Sequence, residues 1–302
     1  MLRVLVGRGP PPAYAGRVPA PLLFVLSGLT QYLGAALAVG LFATIAAPTV
    51  AWLRILVAAL VLVAWRRPWR ERWSRRDLAR AALFGVVLAG MNVSFYVAID
   101  HLPLGTAVAI EFAGPVAVAA VTGQGWRDRV AIGVAAVGVV LLAGVSLSTG
   151  GDARVGLAAA LASAALWGAY ILLGRRVATA TTGGVTGLSV AMGAGAIVFA
   201  PFLAAGAAPV LTDAGLALAV IGVGVLSSVI PYAIEQVVLR RVQPSTFAVL
   251  LALLPATAAV VGAVGLGQVP HGLEIVGLLL VSGAIALTAR AADAPDEAPP
   301  PA

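Results

Sequence analysis

The sequence contains no cysteine, no lysine and only two histidines, His101 and His271. Without cysteine there is no disulfide and no thiolate metal site. Both histidines fall at the edges of apolar runs, which argues against an intramembrane bis-histidine haem, and no zinc-ligand cluster is present. No metal or cofactor is expected. A nucleophile with an adjacent base, or a carboxylate pair of the kind an intramembrane enzyme needs, is also missing. There is no P-loop, so the chain does not hydrolyse ATP. Charge itself is scarce: 10% of the 302 residues are charged and 61% are hydrophobic. A soluble domain is about half apolar and about a quarter charged. Mean hydropathy is +1.03, and lipid must be the solvent for most of this chain.

What charge there is follows a pattern. The net charge is +7, and every basic residue is Arg. Such basicity would suggest nucleic acid, but the arginines sit between apolar runs, so no nucleic-acid partner is expected. A helix needs about 20 apolar residues to cross the hydrocarbon. Runs of that kind fall at 21–42, 48–65, 79–99, 104–124, 129–147, 155–173, 184–206, 214–236, 245–266 and 272–290. The fold class expected is therefore all-α integral membrane, with ten transmembrane helices. The first 20 residues, with Arg3, Arg8 and Arg17, read as a disordered cytoplasmic arm, and 291–302 as a disordered cytoplasmic tail. The first run is too long for a signal-peptide core and is read as a retained helix.

Seventeen of the nineteen arginines fall on alternate connections; the opposite connections hold only Arg154, beside Asp100, Asp152 and Asp213. The positive-inside rule then puts both termini on the cytoplasmic side, and all-Arg basicity with abundant Ala and Gly suggests a GC-rich bacterial genome, hence a bacterial inner membrane. Miscounted spans would scramble this alternation.

The two halves resemble each other. Gly105-Thr106-Ala107 through Pro115 aligns with Ser245-Thr246-Phe247 through Pro255 at an offset of 140 residues. Each segment opens a span and carries a mid-span proline, a candidate helix kink. Five spans per half force the second half to enter the membrane upside down. The expected domains are 21–147 and 155–290, two inverted five-helix repeats, an architecture that places substrate at the repeat interface.

Charges inside hydrocarbon cost about 2.5–3.5 kcal/mol each on insertion scales, so each asks for a reason. Arg54, Glu111, Glu235 and Glu274 are the candidates. Arg54 and Glu111 each lie roughly 10 Å below the outer boundary at 1.5 Å rise per residue. Equal depth allows a pair facing a cavity, suited to the carboxylate and ammonium of an amino-acid zwitterion. Glu111 is also a candidate proton carrier, since removal from water favours the neutral carboxyl. A structural ion pair is the competing account. Glu235 lies a turn from Arg240 and Arg241 and reads equally as a solvated edge; Glu274 opens a helix and reads as a cap. Gln31, Asn92 and Trp167 fall near mid-span, where polar groups bond between helices or line a path. Tyr32, Tyr96, Tyr170 and Tyr232 read either as interface anchors or as packing and cavity residues.

At these residues the sequence resembles the EamA-type branch of the drug/metabolite transporter superfamily, and within it the bacterial threonine/homoserine exporters. The likeness is carried by Thr30–Phe42, Trp52–Arg70, Gly90–Ala119 and Ser227–Gly262, most specifically by AIEFAGP at Ala109–Pro115. The resemblance implies ten helices in two inverted halves, a central cavity, and export of small amino acids or related metabolites. Gln31, Arg54, Asn92, Glu111 and Glu235 occupy its polar positions. Two positions depart from it. Leu254 precedes Pro255 where such exporters commonly have Glu, and Gly267-Gln268 stands where Gly-Glu is common. Partners implied are a small-molecule substrate, the lipid bilayer and protons as the candidate coupling ion. Efflux of amphipathic drugs or another metabolite class is the alternative cargo, and a membrane receptor or scaffold the alternative class.

Overall fold

The structure is a computed structural model that describes residues 19–122, 126–148, 152–178, 184–231, 234, 250–251 and 253–291. Among them there is no strand. The helices are α1 (Ala20–Leu41), α2 (Ala47–Arg66), α3 (Arg75–His101), α4 (Leu104–Glu111), α5 (Ala113–Thr122), α6 (Trp126–Ser148), α7 (Ala153–Ala178), α8 (Val185–Leu203), α9 (Ala208–Thr212), α10 (Ala214–Gly224), α11 (Leu253–Leu266) and α12 (Leu273–Ala291). Prolines open α1 and α2, where the missing N–H has no intrahelical partner anyway. Ser74 caps α3 by accepting from Asp77 N, and Asp213 caps α10 by accepting from Gly215 N and Leu216 N.

Among the described residues six helices are long and apolar enough to cross a membrane: Pro21–Leu41, Ala47–Arg70, Arg75–His101, Arg129–Leu147, Ala153–Gly174 and Val185–Thr212. Four shorter apolar helices cover Leu104–Val118, Ala214–Val229, Leu253–Leu266 and Leu273–Leu287. Large apolar side chains point outward from them: Ile197 is 74% exposed, Val264 85% and Leu211 88%. Water would not tolerate such a surface; it is that of a multi-pass membrane protein, with lipid as the outer solvent.

Inside, small residues set the spacing. α3 runs between α7 and α8, α2 lies along α8, α12 along α6, and α1 along α11. At Gly85 the backbone of α3 meets the Ala191 carbonyl of α8, and at Gly114 α5 meets the Ala164 carbonyl of α7, so closely that neither position has room for a Cβ. Such contacts replace the hydrophobic drive that lipid removes. The Trp52 indole Nε1 donates to Ala196 O at 2.8 Å and ties α2 to α8.

Two expected spans are not continuous α-helix. The run 104–124 divides at Phe112, between α4 and α5. Pro115 is the reason: it has no N–H for the Glu111 carbonyl, and its ring crowds that turn. The run 214–236 passes from α10 into a π-turn at Val225–Val229. Residues 245–249, which open the ninth expected span, lie outside the described residues, as do residues 1–18 and 292–302 at the ends.

Candidate functional site

Two buried polar clusters meet along α3. The first is built on Arg54, in the middle of α2 and 7% exposed. Its Nε donates to Ser228 Oγ at 2.9 Å, and its Nη2 donates to Ser227 O at 2.7 Å. Both partners lie in the π-turn. A π-turn shifts the hydrogen-bond ladder by one residue and leaves carbonyls open to other donors, which is why such turns recur at functional sites. Ser227 Oγ donates to the Gln31 carbonyl at 3.2 Å and so fastens α1 to the same turn. The Arg54 guanidinium carbon lies 5.5 Å from the Tyr96 ring centroid. Tyr96 is fully buried among Phe42 and Phe95, and its hydroxyl has no hydrogen-bond partner among the described residues. A buried hydroxyl without a partner costs about 1–3 kcal/mol and asks for an explanation.

The second cluster surrounds Glu111, 8% exposed at the last residue of α4. Ser163 on α7 lies between two acceptors: its Oγ is 2.5 Å from Glu111 Oε1 and 3.0 Å from Met91 O on α3. A hydroxyl has one proton. Ser163 therefore donates to the carboxylate or to the α3 carbonyl, and when it donates to the carbonyl the Glu111 contact is a hydrogen bond only if the carboxyl group donates. Phe112 packs edge-on against Trp167, with centroids 4.5 Å apart. Asn92 is buried one turn from Tyr96, and its Nδ2 donates to Leu88 O of its own helix at 2.8 Å.

Arg54 and Glu111 form no ion pair with each other. Among the described residues the one ion pair is Arg80 with Asp77, at 3.7 Å on the surface. Serines satisfy both buried charges instead, because the π-turn and α7 reach them first. Gln31 is half-buried, and its backbone is what the cluster uses. Glu235 and Tyr232 lie outside the described residues. Pro255 is buried in α11, and beside it Leu254 packs on Gly28 of α1. Glu274 Oε2 accepts from His271 N at 3.1 Å, the geometry of a helix cap.

Three participants were not legible in the residues themselves. Ser163 and the Ser227-Ser228 pair read as ordinary small polar residues in Ala-rich helices. Gln268 Oε1 accepts from Leu104 N at 2.9 Å and so caps α4, whose first residue has only Pro103 before it. It also lines a small cleft of about 110 Å³ with Thr106, Val269, Pro270 and Glu274.

The chain is 36% identical over 265 residues to the threonine/homoserine exporter RhtA of Salmonella typhimurium, spanning 87% of this chain and 88% of that one. It is 35% identical over 263 residues to RhtA of Escherichia coli K12, spanning 86% and 88%. An uncharacterized transporter, YxxF of Bacillus subtilis, is 24% identical over 72% of each chain. A solved crystal structure shares the fold at a TM-score of 0.58 and 19% identity, covering 89% of this chain and 96% of its own. Residues 154–290 match the EamA-like transporter family. These relatives are transporters, not enzymes, and the chain belongs to the EamA-like transporter family.

Proposed function

We propose that this protein is an inner-membrane secondary exporter of small amino acids of the threonine and homoserine kind, working by alternating access. The observation that carries this reading is a pair of buried, opposite charges held apart: Arg54 and Glu111, neither ion-paired among the described residues. An amino-acid zwitterion offers a carboxylate for the guanidinium and an ammonium for the carboxylate. The exporters it resembles move such solutes by name. The hydroxyl of Ser163 makes Glu111 a proton-sensitive contact with α3, which supports protons as the coupling ion.

Six long apolar helices, with four shorter ones beside them, support a reading of ten crossings. Packing supports their arrangement as inverted repeats over 21–147 and 155–290. Gly28 of α1 faces Leu254 of α11, and Gly168 of α7 faces Gly114 of α5. The offset of 140 residues seen in the sequence carries Gly28 onto Gly168 and Gly114 onto Leu254. The packing of α3 on α8 has its counterpart in α10 on α2. The arginine alternation supports a cytoplasmic position for both termini.

The test is efflux of labelled threonine, homoserine and an amino-acid panel from liposomes holding the purified chain, with and without a pH gradient. Gradient-driven, saturable efflux that Glu111→Gln abolishes is the expected result. If no amino acid leaves faster than from empty liposomes while the protein is folded, the cargo assignment fails and amphipathic drugs become the next panel.

A further inference from the structure

The arginine-rich connection between α2 and α3 is used by neither buried cluster. Residues 66–80 carry seven arginines, at 66, 67, 70, 72, 75, 76 and 80, against Glu71 and Asp77. Asp77 pairs with Arg80. The other six form no ion pair among the described residues, and all six are exposed. Loose chain would scatter them, but this connection is built. Arg66 Nε and Nη2 donate to Thr186 Oγ1 of α8 at 3.2 and 3.1 Å. Arg67 closes α2 in the left-handed region, at φ 49°. A 3₁₀ turn, Pro68–Arg70, follows with Pro68 buried, and Trp73 Nε1 donates back to Pro68 O at 3.0 Å. Ser74 then caps α3.

The exposed groups are layered along α2. Leu60, 62% exposed, and Val61 come first; Trp65 and Trp69 follow, 61% and 65% exposed, with the Arg66 guanidinium carbon 5.9 Å from the Trp65 ring centroid; Arg70, Arg72, Arg75 and Arg76 come after them in the chain. Acyl chain, interface and phosphate succeed one another in the same order across a lipid leaflet, and tryptophan rings settle at its middle level. Guanidinium groups bind phosphate oxygens with two parallel hydrogen bonds. We infer that the α2–α3 connection is a binding site for the phosphodiester headgroup of anionic phospholipid, held between Trp65, Trp69 and the arginines at 70, 72, 75 and 76. Nucleic acid shares the phosphate chemistry, but it gives Trp65 and Trp69 no apolar layer to enter. The site is independent of the cargo, because it lies outside both buried clusters.

The test uses the full purified chain in neutral detergent, titrated with phosphatidylglycerol or phosphatidylcholine and read by native mass spectrometry. Phosphatidylglycerol is expected to bind at least tenfold tighter. Replacing Arg70, Arg72, Arg75 and Arg76 by Gln removes that preference, while Arg154→Gln, at the opposite end of the bundle, keeps it. The water-soluble glycerophosphoglycerol headgroup at millimolar concentration leaves the lipid bound; displacement by it would overturn the lipid assignment in favour of a soluble phosphate. Tighter binding of a single-stranded RNA 20-mer at physiological salt would overturn it in favour of nucleic acid. If the Gln variant does not fold, Trp65→Ala/Trp69→Ala and the fourfold Arg→Lys variant are measured instead. An unchanged preference in both refutes the site.

Discussion

Gly85→Ala tests whether close backbone contact holds this bundle together. A Cβ at Gly85 would meet the Ala191 carbonyl oxygen, and would lie 2.6 Å from the Ala191 carbonyl carbon. Carbon atoms rest at about 3.5 Å or more, so relieving the carbon contact alone parts α3 and α8 by about 0.9 Å, and the nearer oxygen demands more. The obstacle is backbone, which has no rotamer to give. Overpacking of this kind costs about 1–3 kcal/mol. Alanine recovers up to ~1 kcal/mol of helix propensity, so the variant is expected to lose roughly 1–2 kcal/mol. Gly193, on α8 itself, has nothing among the described residues within 4 Å of where a methyl group would go. Gly193→Ala keeps the propensity gain with no clash and should gain a few tenths of a kcal/mol or more. The assay is thermal unfolding of the two variants and the parent in one detergent. Gly85→Ala melting at or above the parent, or the two variants shifting together, would refute a bundle spaced by backbone contact.

Other expectations come from the buried clusters. Arg54→Gln leaves the Ser227 carbonyl and the Ser228 hydroxyl short of a charged donor; it should lower stability by about 1–3 kcal/mol in denaturant unfolding and abolish saturable efflux. Tyr96→Phe removes a buried hydroxyl that has no partner among the described residues, so the melting temperature should hold or rise; a fall in efflux at unchanged stability marks that hydroxyl as a substrate contact. Ser163→Ala should flatten the pH profile of efflux, and Ser163→Thr should restore it, whereas a purely structural serine would change stability and leave the profile's shape alone. Gln268→Ala removes the cap on α4 and should cost about 1 kcal/mol, read by unfolding.

The sequence made the helices and their order legible because lipid imposes a coarse rule: apolar runs of fixed length with arginines between them. The break at Phe112 was legible too, since Pro115 cannot donate to the Glu111 carbonyl. The π-turn was not. One residue of extra winding leaves the apolar run through Val225–Val229 unchanged, so nothing in the composition announces it. With the turn hidden, Arg54 looked available for Glu111. Equal depth is a necessary condition for a pair, but the shorter reach to Ser227 and Ser228 decided the contact. Ser163 was hidden for a similar reason: LASAALW, at Leu161–Trp167, reads as close packing until α3 and Glu111 are placed on either side of it. Gln268, noted in the sequence only as a departure from the resemblance, gave no sign that its amide oxygen caps α4.

That amide has a mechanical consequence. α4 is a rod of eight residues, Leu104–Glu111, about 12 Å long at 1.5 Å per residue. It is pinned by Gln268 at one end and by Ser163 at the other, and a break at Phe112 frees it from α5. A lever of that length tilted by about ten degrees moves its far end by roughly 2 Å, enough to part a hydrogen bond. Either pin therefore serves as the fulcrum once the other is released. A change in grip at the carboxylate is delivered to the cleft beside Gln268 as displacement, and α7, α11 and α12, packed on the buried α4, must give with it.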